Sequence, residues 1–208
     1  MSSYTTVAAY GQDEFIEKKS RFIGYCKPVQ TEEEALAFIQ ELRSKHWDAS
    51  HNVYAYILRE GGIMRYSDDG EPQGTAGIPV LDGLRKAGIV DAVVVVTRYF
   101  GGILLGGGGL VRAYSHGSSI AVKAAGVQVM KECLLLSVRC EYTFYGRLAS
   151  LVPEHGGVVD DTTYDDAVNL TFHMEPESLP AFQKALADAT NGRSTVEELG
   201  KQYFAFSV

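Results

Sequence analysis

The stretch from Asp91 to Tyr114, DAVVVVTRYFGGILLGGGGLVRAY, constrains the fold more than any other part of the chain. Four consecutive valines, Val93–Val96, predict a buried strand, because β-branched side chains suit a pleated surface that is covered on both faces. Six glycines follow between Gly101 and Gly109, and a helical pattern then begins. A strand, a glycine loop and a helix N-terminus together predict backbone N–H groups that point toward an anion or a closely approaching partner.

Two phosphate-binding sequence motifs are absent from this glycine loop. A Walker loop requires Lys and Ser or Thr where this chain has Gly107 and Gly108, and a dinucleotide fingerprint requires glycine where it has Val111. What remains is a general anion-binding helix N-terminus, with Arg98 and Arg112 as charge partners. The alternative is that the glycines only allow the backbone to pass tightly between strand and helix. No cofactor is expected.

An acidic segment precedes the valine strand. Residues Gly61–Gly77 are rich in Gly, Pro, Asp and Ser and predict a long irregular loop, which in a compact domain is commonly functional. Asp68, Asp69 and Glu71 place three carboxylates within four positions, which is enough for weak Mg²⁺ ligation through water and phosphate oxygens. The alternative is that these carboxylates cap backbone N–H groups of a turn. The segment Asp68–Thr75 is therefore a candidate binding loop.

The net charge limits the kinds of partner. The chain carries 26 acidic and 19 basic side chains, a formal net charge of −7, which argues against a nucleic-acid footprint over its whole length. Residues 1–130 hold 13 basic and 14 acidic side chains, so a local basic face is compatible with this part. The three cysteines form no C-x-x-C motif, and neither a signal peptide nor a membrane-spanning apolar run is expected. The sequence therefore predicts a cytoplasmic protein without a membrane partner.

Cations and aromatic side chains alternate around the two loops. Aromatic rings beside cations suit stacked bases and phosphates, and the alternative is an aromatic rim of the core. The candidate nucleic-acid contacts outside the glycine loop are Lys18, Lys19, Arg21 and Arg65. The candidate ligand- or partner-binding residues are Asp68, Asp69, Glu71, Thr75, Arg98, Tyr99, Gly101, Gly102, Gly106, Gly107, Gly108, Gly109, Arg112 and Tyr114. No catalytic residue is predicted, since Ser115 and His116 on one helix point about 100° apart.

The order of predicted elements divides the chain into two domains of the α+β class. Residues 1–126 mix strands and helices, and residues 127–208 show the order β-α-β-β-α-β of a ferredoxin-like fold. The boundary is placed after Gly126, because this glycine is predicted to end the helix that follows the glycine loop.

Two long motifs identify a family. SDDGEPQGTAGIPVLDGL (residues 67–84) and VVVTRYFGGILLGGGGLVRAYS (residues 94–115) together resemble the IMPACT family, bacterial YigZ type, and the resemblance covers about residues 1–125. It implies an N-terminal β-α-β sandwich shared with a small-subunit ribosomal protein, elongation factor G domain IV and the GHMP kinases. The following segment resembles a small ferredoxin-like domain of elongation factor G. Eukaryotic members of the family act as translational regulators through protein–protein binding.

The resemblance and the loop residues together lead to three functional expectations. The first is a non-enzymatic, translation-associated protein that binds RNA, the ribosome or a protein partner through the Asp68–Thr75 and Arg98–Arg112 loops. In it, the two arginines contact phosphate while Tyr99 and Tyr114 pack or stack. The second is an enzyme acting on a phosphorylated small molecule or nucleotide with Mg²⁺. The third is a pure protein-interaction module.

Overall fold

The computed structural model describes residues 3–207 and divides into two units, residues 4–129 and 130–206. The first unit contains the strands β1 (Ser3–Val7), β2 (Gly11–Glu17), β3 (Ser20–Pro28), β4 (His51–Leu58), β5 (Ile63–Ser67) and β6 (Ala92–Tyr99) and the helices α1 (Glu32–Lys45), α2 (Gly77–Lys86) and α3 (Gly107–Ala125). The second unit contains most of β7 (Val127–Cys140), then α4 (Tyr142–Glu154), β8 (Val158–Tyr164), β9 (Val168–Met174), α5 (Leu179–Thr190) and β10 (Val196–Ser207).

The valine strand β6 is the centre of the first unit. It lies in an antiparallel sheet of order β2-β3-β6-β4-β5. Because successive side chains of a strand point to opposite faces, Val94 and Val96 enter the core formed with α2 and α3, whereas Val93 and Val95 enter the core formed with α1. All four valines are fully buried, which confirms the prediction of a strand covered on both faces. We refer to the two sides of the sheet as the α2/α3 face and the α1 face.

The sequence predicted an irregular loop over the whole of Gly61–Gly77, but part of this segment is regular. Residues Ile63–Ser67 form the edge strand β5, which pairs with β4 in the register Tyr54 to Ser67. The three central residues of β5 are exposed. Its sequence therefore does not show the apolar–polar alternation that is typical of a strand with one buried face. Only the part after Ser67 is a loop, and it is this part that carries the acidic residues.

The second unit has the predicted ferredoxin-like arrangement. In its sheet β9 lies between β7 and β8 and is antiparallel to both, and β10 pairs with β7. Leu136, Leu170 and Phe172 of the sheet pack against Leu151 of α4 and Phe182 of α5 in a single core. The α+β class and the ferredoxin-like second domain are confirmed. Among residues 3–207, no helix is both long and apolar enough to span a bilayer.

Candidate nucleic-acid interface

Arg98 lies near the end of β6, and its side chain is buried. The residue is only 4% exposed. Its Nη1 donates a hydrogen bond to Glu71 Oε1 at 2.6 Å, and its Nη2 donates to Ser20 Oγ at 3.4 Å. The ring centroids of Phe22 and Phe100 lie 5.5 and 5.4 Å from the guanidinium carbon, within the range of cation–π attraction. A phosphate can therefore reach Arg98 only by entering the protein, not at the outer surface.

Glu71 ties the acidic loop to β6 and α3. Its Oε1 accepts hydrogen bonds from Arg98 Nη1 and from the Tyr114 hydroxyl, each at 2.6 Å. Tyr114 is fully buried, and burial, together with the hydrogen bond to Glu71, raises the pKa of its hydroxyl well above the usual value. The ring packs edge-on against Phe22 at 5.4 Å. Tyr114 therefore anchors the two loops to each other. The sequence predicted that it packs or stacks, and its burial leaves it to pack rather than to stack on a ligand.

His51, at the start of β4, completes this cluster and was not singled out from the sequence. Its Nδ1 lies 2.8 Å from the backbone oxygen of Asp69, and since a carbonyl only accepts, Nδ1 carries a proton. Its Nε2 lies 3.7 Å from Glu71 Oε1. A histidine at the head of a mostly apolar strand was the available signal, but nothing local in the sequence indicated that it faces the acidic loop.

Asp68 has a structural role at the start of α2. Its carboxylate accepts hydrogen bonds from the N–H groups of Gly74 (2.9 Å), Ala76 (3.1 Å) and Gly77 (2.8 Å). Because Ala76 offers no capping side chain, Asp68 supplies from a distance the acceptor that the helix N-terminus needs. This arrangement matches the turn-capping alternative for the acidic loop.

Asp69 is also engaged with protein donors. It accepts a hydrogen bond from Arg43 Nη2 at 2.8 Å and another from the N–H of Asn52 at 2.6 Å. Thr75 is half-buried, and its hydroxyl donates a hydrogen bond to the backbone oxygen of Pro72. Within residues 3–207, no three His, Cys, Asp or Glu side chains are grouped so that they could hold a metal ion. The three carboxylates considered as weak Mg²⁺ ligands are thus turned toward different protein donors.

Three predicted contact residues lie on the α1 face, opposite to Arg98. The Tyr99 hydroxyl donates to Asp48 at 3.2 Å and accepts from His46, because Tyr99 follows Arg98 in the strand and points the other way. Arg21, which pairs with Tyr99 in the sheet register, forms an ion pair with Glu14 at 2.6 Å. The third residue, Arg65 of β5, lies 3.8 Å from Glu32 of α1. These residues do not share a site with the glycine loop.

Lys18 and Lys19 do lie beside the glycine loop. They form the two-residue turn between β2 and β3, and both have positive φ angles, 45° and 64°. A non-glycine residue rarely adopts this conformation, and two in succession place the lysine side chains at an exposed, strained hairpin tip. A Cβ on Gly101 would lie 2.0 Å from the backbone oxygen of Lys19, so only glycine allows the loop to pass this close. The adjacent Gly102 has φ 84°.

A cavity of about 450 Å³ opens between the hairpin and α3, and we call it the basic groove. It is lined by the cations Lys18 and Arg112 together with His116, by one carboxylate, Glu17, and by apolar residues that include Ile16 and Leu105. Arg112 is exposed, and Ile16 is 72% exposed. A ligand in this groove meets positive charge and apolar surface at the same time.

A second cavity, of about 410 Å³, lies on the other side of Leu105, and we call it the Arg98 cavity. The polar cluster around Arg98 forms its floor, and the N-terminal residues of α3, Gly106 and Gly107, form part of its wall. Its remaining lining residues are His51, Gly70, Glu71, Pro72, Phe100, Leu104 and Leu110. The glycine loop thus separates the basic groove from the Arg98 cavity, and α3 borders both.

Comparison with known proteins identifies related sequences over nearly the whole chain. The model of the Impact N-terminal domain matches residues 18–122, and a model described as a domain of unknown function, DUF1949, matches residues 138–193. The IMPACT family member YvyE of Bacillus subtilis is 39% identical over 95% of this chain and 92% of its own length. The IMPACT family member YigZ of Escherichia coli is 35% identical over 84% and 87%. A crystal structure of a hypothetical protein, 32% identical, covers 96% of this chain and 98% of its own with a TM-score of 0.61.

Proposed function

Since the chain belongs to the IMPACT family, we propose that it is a non-enzymatic, translation-associated protein that binds RNA through the basic groove of its first unit. The observation that carries the proposal is the meeting of Lys18, Lys19 and Arg112 with exposed apolar surface at the glycine loop. Single-stranded RNA is bound by cations that follow its backbone and by apolar or aromatic side chains that contact its bases.

The cations of the groove are free to act on a ligand. Within residues 3–207, neither Lys18, Lys19 nor Arg112 forms an ion pair, whereas Arg21 and Arg65 are matched with carboxylates. Unmatched cations on a protein of net charge −7 concentrate positive potential at one place, which orients an approaching polyanion. Of the cations predicted from the sequence to contact nucleic acid, those without an ion pair thus lie at the groove and the glycine loop.

Exposed apolar side chains provide the second part of the surface. Phe100 is 47% exposed, and Leu104, at the crest of the glycine loop, is 82% exposed. Phe100 also lies over the Arg98 guanidinium, which fixes one side of its ring and leaves the other for a base. Glycines on both sides of Leu104 let a nucleic-acid strand approach the backbone closely.

The test is the affinity of the protein for a 20-nucleotide single-stranded RNA, measured by fluorescence anisotropy at several salt concentrations. The variant Lys18→Ala/Lys19→Ala/Arg112→Ala should weaken binding and reduce the slope of log K against log salt by about 2, since each contact with a single strand contributes about 0.7. The control variant, Arg85→Ala/Lys86→Ala/Lys123→Ala, removes three exposed cations near the C-terminal ends of α2 and α3. Equal losses in the two variants, or no RNA binding, would refute the proposal.

A protein partner is the second candidate, and the exposure of Leu104 favours it. A side chain this exposed on a loop is a common anchor of protein interfaces, provided that neighbouring apolar residues extend the patch. Ile103 and Val111, 41% and 39% exposed, do so here. If a protein occupies this surface, Leu104→Ser should abolish capture of a purified translation factor or ribosomal subunit while the three cation substitutions leave it intact. The reverse pattern supports RNA.

A further inference from the structure

Two glycines of α3 have no explanation within the protein. Gly107 and Gly108 lie in the first turn of the helix, and neither has a positive φ angle. The nearest heavy atom to a Cβ on Gly107 would be Thr75 Cγ2 at 3.9 Å, and on Gly108 it would be Arg112 Nη1 at 3.7 Å. Both positions have room for alanine, and glycine is among the least favourable residues in a helix. The space beside these two residues is therefore open to a ligand.

The same turn presents unused hydrogen-bond donors. The first backbone hydrogen bond of α3 runs from the N–H of Leu110 to the backbone oxygen of Gly106 at 2.9 Å. The N–H groups of residues 107–109 come before it and therefore have no acceptor within the helix. Gly106 has no side chain to cap them, and the first turn contains no acidic residue. A helix of 19 residues carries a full dipole, whose positive end lies here.

Arg98 supplies an independent observation at the same place. Its Nη1 and Nη2 are bonded, but its Nε is buried without a hydrogen-bond partner in the part of the chain that the structure describes. Buried donors without a partner are rare and costly, and Arg98 is only 4% exposed, so its unpaired N–H is available to an acceptor that enters the cavity. Arg98 lines the same cavity as Gly106 and Gly107, so a ligand in this cavity meets both kinds of donor.

Glu71 limits the charge of that ligand. Its carboxylate lines the cavity and offsets the charge of Arg98 through the 2.6 Å ion pair. The net attraction for an anion therefore comes from the helix terminus and the N–H donors, and a doubly charged group would be repelled by Glu71. A singly charged tetrahedral oxyanion fits this balance better than a phosphate monoester dianion.

We infer that the Arg98 cavity binds one phosphodiester group, whose oxygens accept hydrogen bonds from the N–H groups of Gly107 and Gly108 and from Arg98 Nε. This inference deepens the proposed function, on which it rests, because RNA supplies a phosphodiester at every linkage. The basic groove would follow the outside of the strand, while the cavity fixes one linkage. The absence of side chains at residues 107 and 108 then allows the backbone of the strand to approach α3.

The experiment uses the full chain labelled with ¹⁵N-glycine and the dinucleotide UpU, which carries one phosphodiester. Saturable shifts of the Gly107 and Gly108 amide resonances are expected with UpU and not with uridine, and UMP, a dianion at pH 7.5, should bind several-fold more weakly than UpU. No shift of these two amides with UpU, or the same shifts with uridine, would overturn the inference.

A pair of variants tests the space above α3. Gly107→Ala/Gly108→Ala adds two methyl groups that the fold accommodates, and it should weaken UpU binding at least tenfold. The matched control is Gly146→Ala, which adds the same methyl group to α4, where nothing lies within 4 Å of the new atom. The control should bind UpU as the unaltered protein does. UpU affinity that is unchanged in the double variant would contradict the inference.

Failure of the inference can be told apart from failure of the proposed function. If the 20-nucleotide RNA binds and depends on Lys18, Lys19 and Arg112, but the Gly107 and Gly108 amides do not shift, the phosphodiester site is wrong and the RNA surface stands. If UpU shifts these amides but the affinity for the 20-nucleotide RNA does not depend on the three cations, the phosphodiester site stands and the RNA surface is wrong.

Discussion

Two polar networks lie at the end of β6, one on each face of the sheet, and they differ in whether a buried donor is left without a partner. On the α2/α3 face, Arg98 and Glu71 share a cluster in which a guanidinium N–H has no partner. On the α1 face, Tyr25 donates to His46 Nε2 (2.6 Å), His46 Nδ1 donates to Tyr99 (2.8 Å), and Tyr99 donates to Asp48. This second network satisfies both nitrogens of its histidine.

The difference separates a structural network from a binding site. A fully paired chain of hydrogen bonds rigidifies the core and has nothing left to offer a ligand. A cluster that keeps an unused donor, lines a cavity and adjoins an uncapped helix has a donor left to offer a ligand. Adjacent residues of one strand, Arg98 and Tyr99, thus belong to sites of different kinds.

The largest expected effect comes from breaking the ion pair on the α2/α3 face. Glu71→Ala should lower the free energy of unfolding by about 3–5 kcal/mol, because it leaves the charge of Arg98 buried and uncompensated. Glu14→Ala, which breaks the equally short but exposed pair with Arg21, should cost at most about 1 kcal/mol. Urea denaturation measures both. Similar losses in the two variants would mean that the Arg98 cluster is not desolvated.

The two tyrosines sharpen the comparison. Tyr114→Phe removes the hydrogen bond to the buried carboxylate of Glu71 and should cost about 1.5–3 kcal/mol, the range for a bond to a charged group. Tyr99→Phe removes a hydroxyl that reaches Asp48 at an exposed position and should cost about 1 kcal/mol. The same denaturation experiment orders them. A larger loss for Tyr99 would place the more desolvated network on the α1 face.

Glycine substitutions in the loop should act in opposite directions. Gly107→Ala should stabilise the protein by up to about 1 kcal/mol, since alanine favours the helix and meets only open space. Gly101→Ala should destabilise it, since the new Cβ would lie 2.0 Å from the oxygen of Lys19. Thermal unfolding of the two variants should therefore shift to opposite sides of the unaltered protein. A loss of stability in Gly107→Ala would give that glycine a structural reason and remove one support of the phosphodiester site.

The smallest effect concerns pH. Burial, and then the nearby charges of Lys45 and Arg21, lower the pKa of His46 from its ordinary value of 6.5. The folded state therefore binds fewer protons than the unfolded state, so the contribution of the neutral ring is complete above about pH 6.5 and is lost as the pH falls below it. Protonated Nε2 can no longer accept from Tyr25. Unfolding between pH 7.5 and 5 should show a decline that is shallower in His46→Gln, and identical declines would contradict this assignment.

Much of the fold follows from local patterns, and less of the site does. The valine run predicts a strand covered on both faces, and the element order predicts the ferredoxin-like second domain. The strand β5 could not be predicted, because its exposed edge position removes the alternation that marks strands. Strand periodicity places Arg98 and Tyr99 on opposite faces, yet it does not tell which face holds the ligand.

How deeply the site residues are buried could not be predicted from the sequence. Whether Tyr114 is a stacking platform or a buried anchor depends on its contact with Glu71, 43 positions away. The role of His51 depends in the same way on the path of the acidic loop around Gly70, whose φ of 87° turns the backbone toward the histidine. Such long-range contacts leave no periodic trace in a single sequence.

The most direct test of the two-face account is an amide NMR map of the whole chain with the 20-nucleotide RNA. We expect shifts around residues 15–20 and 100–116 on the α2/α3 side. The indole N–H of Trp47, the single tryptophan, is 83% exposed beside His46 and should stay unchanged. Shifts that cluster instead around Trp47, Arg21 and Arg65 on the α1 face would contradict it.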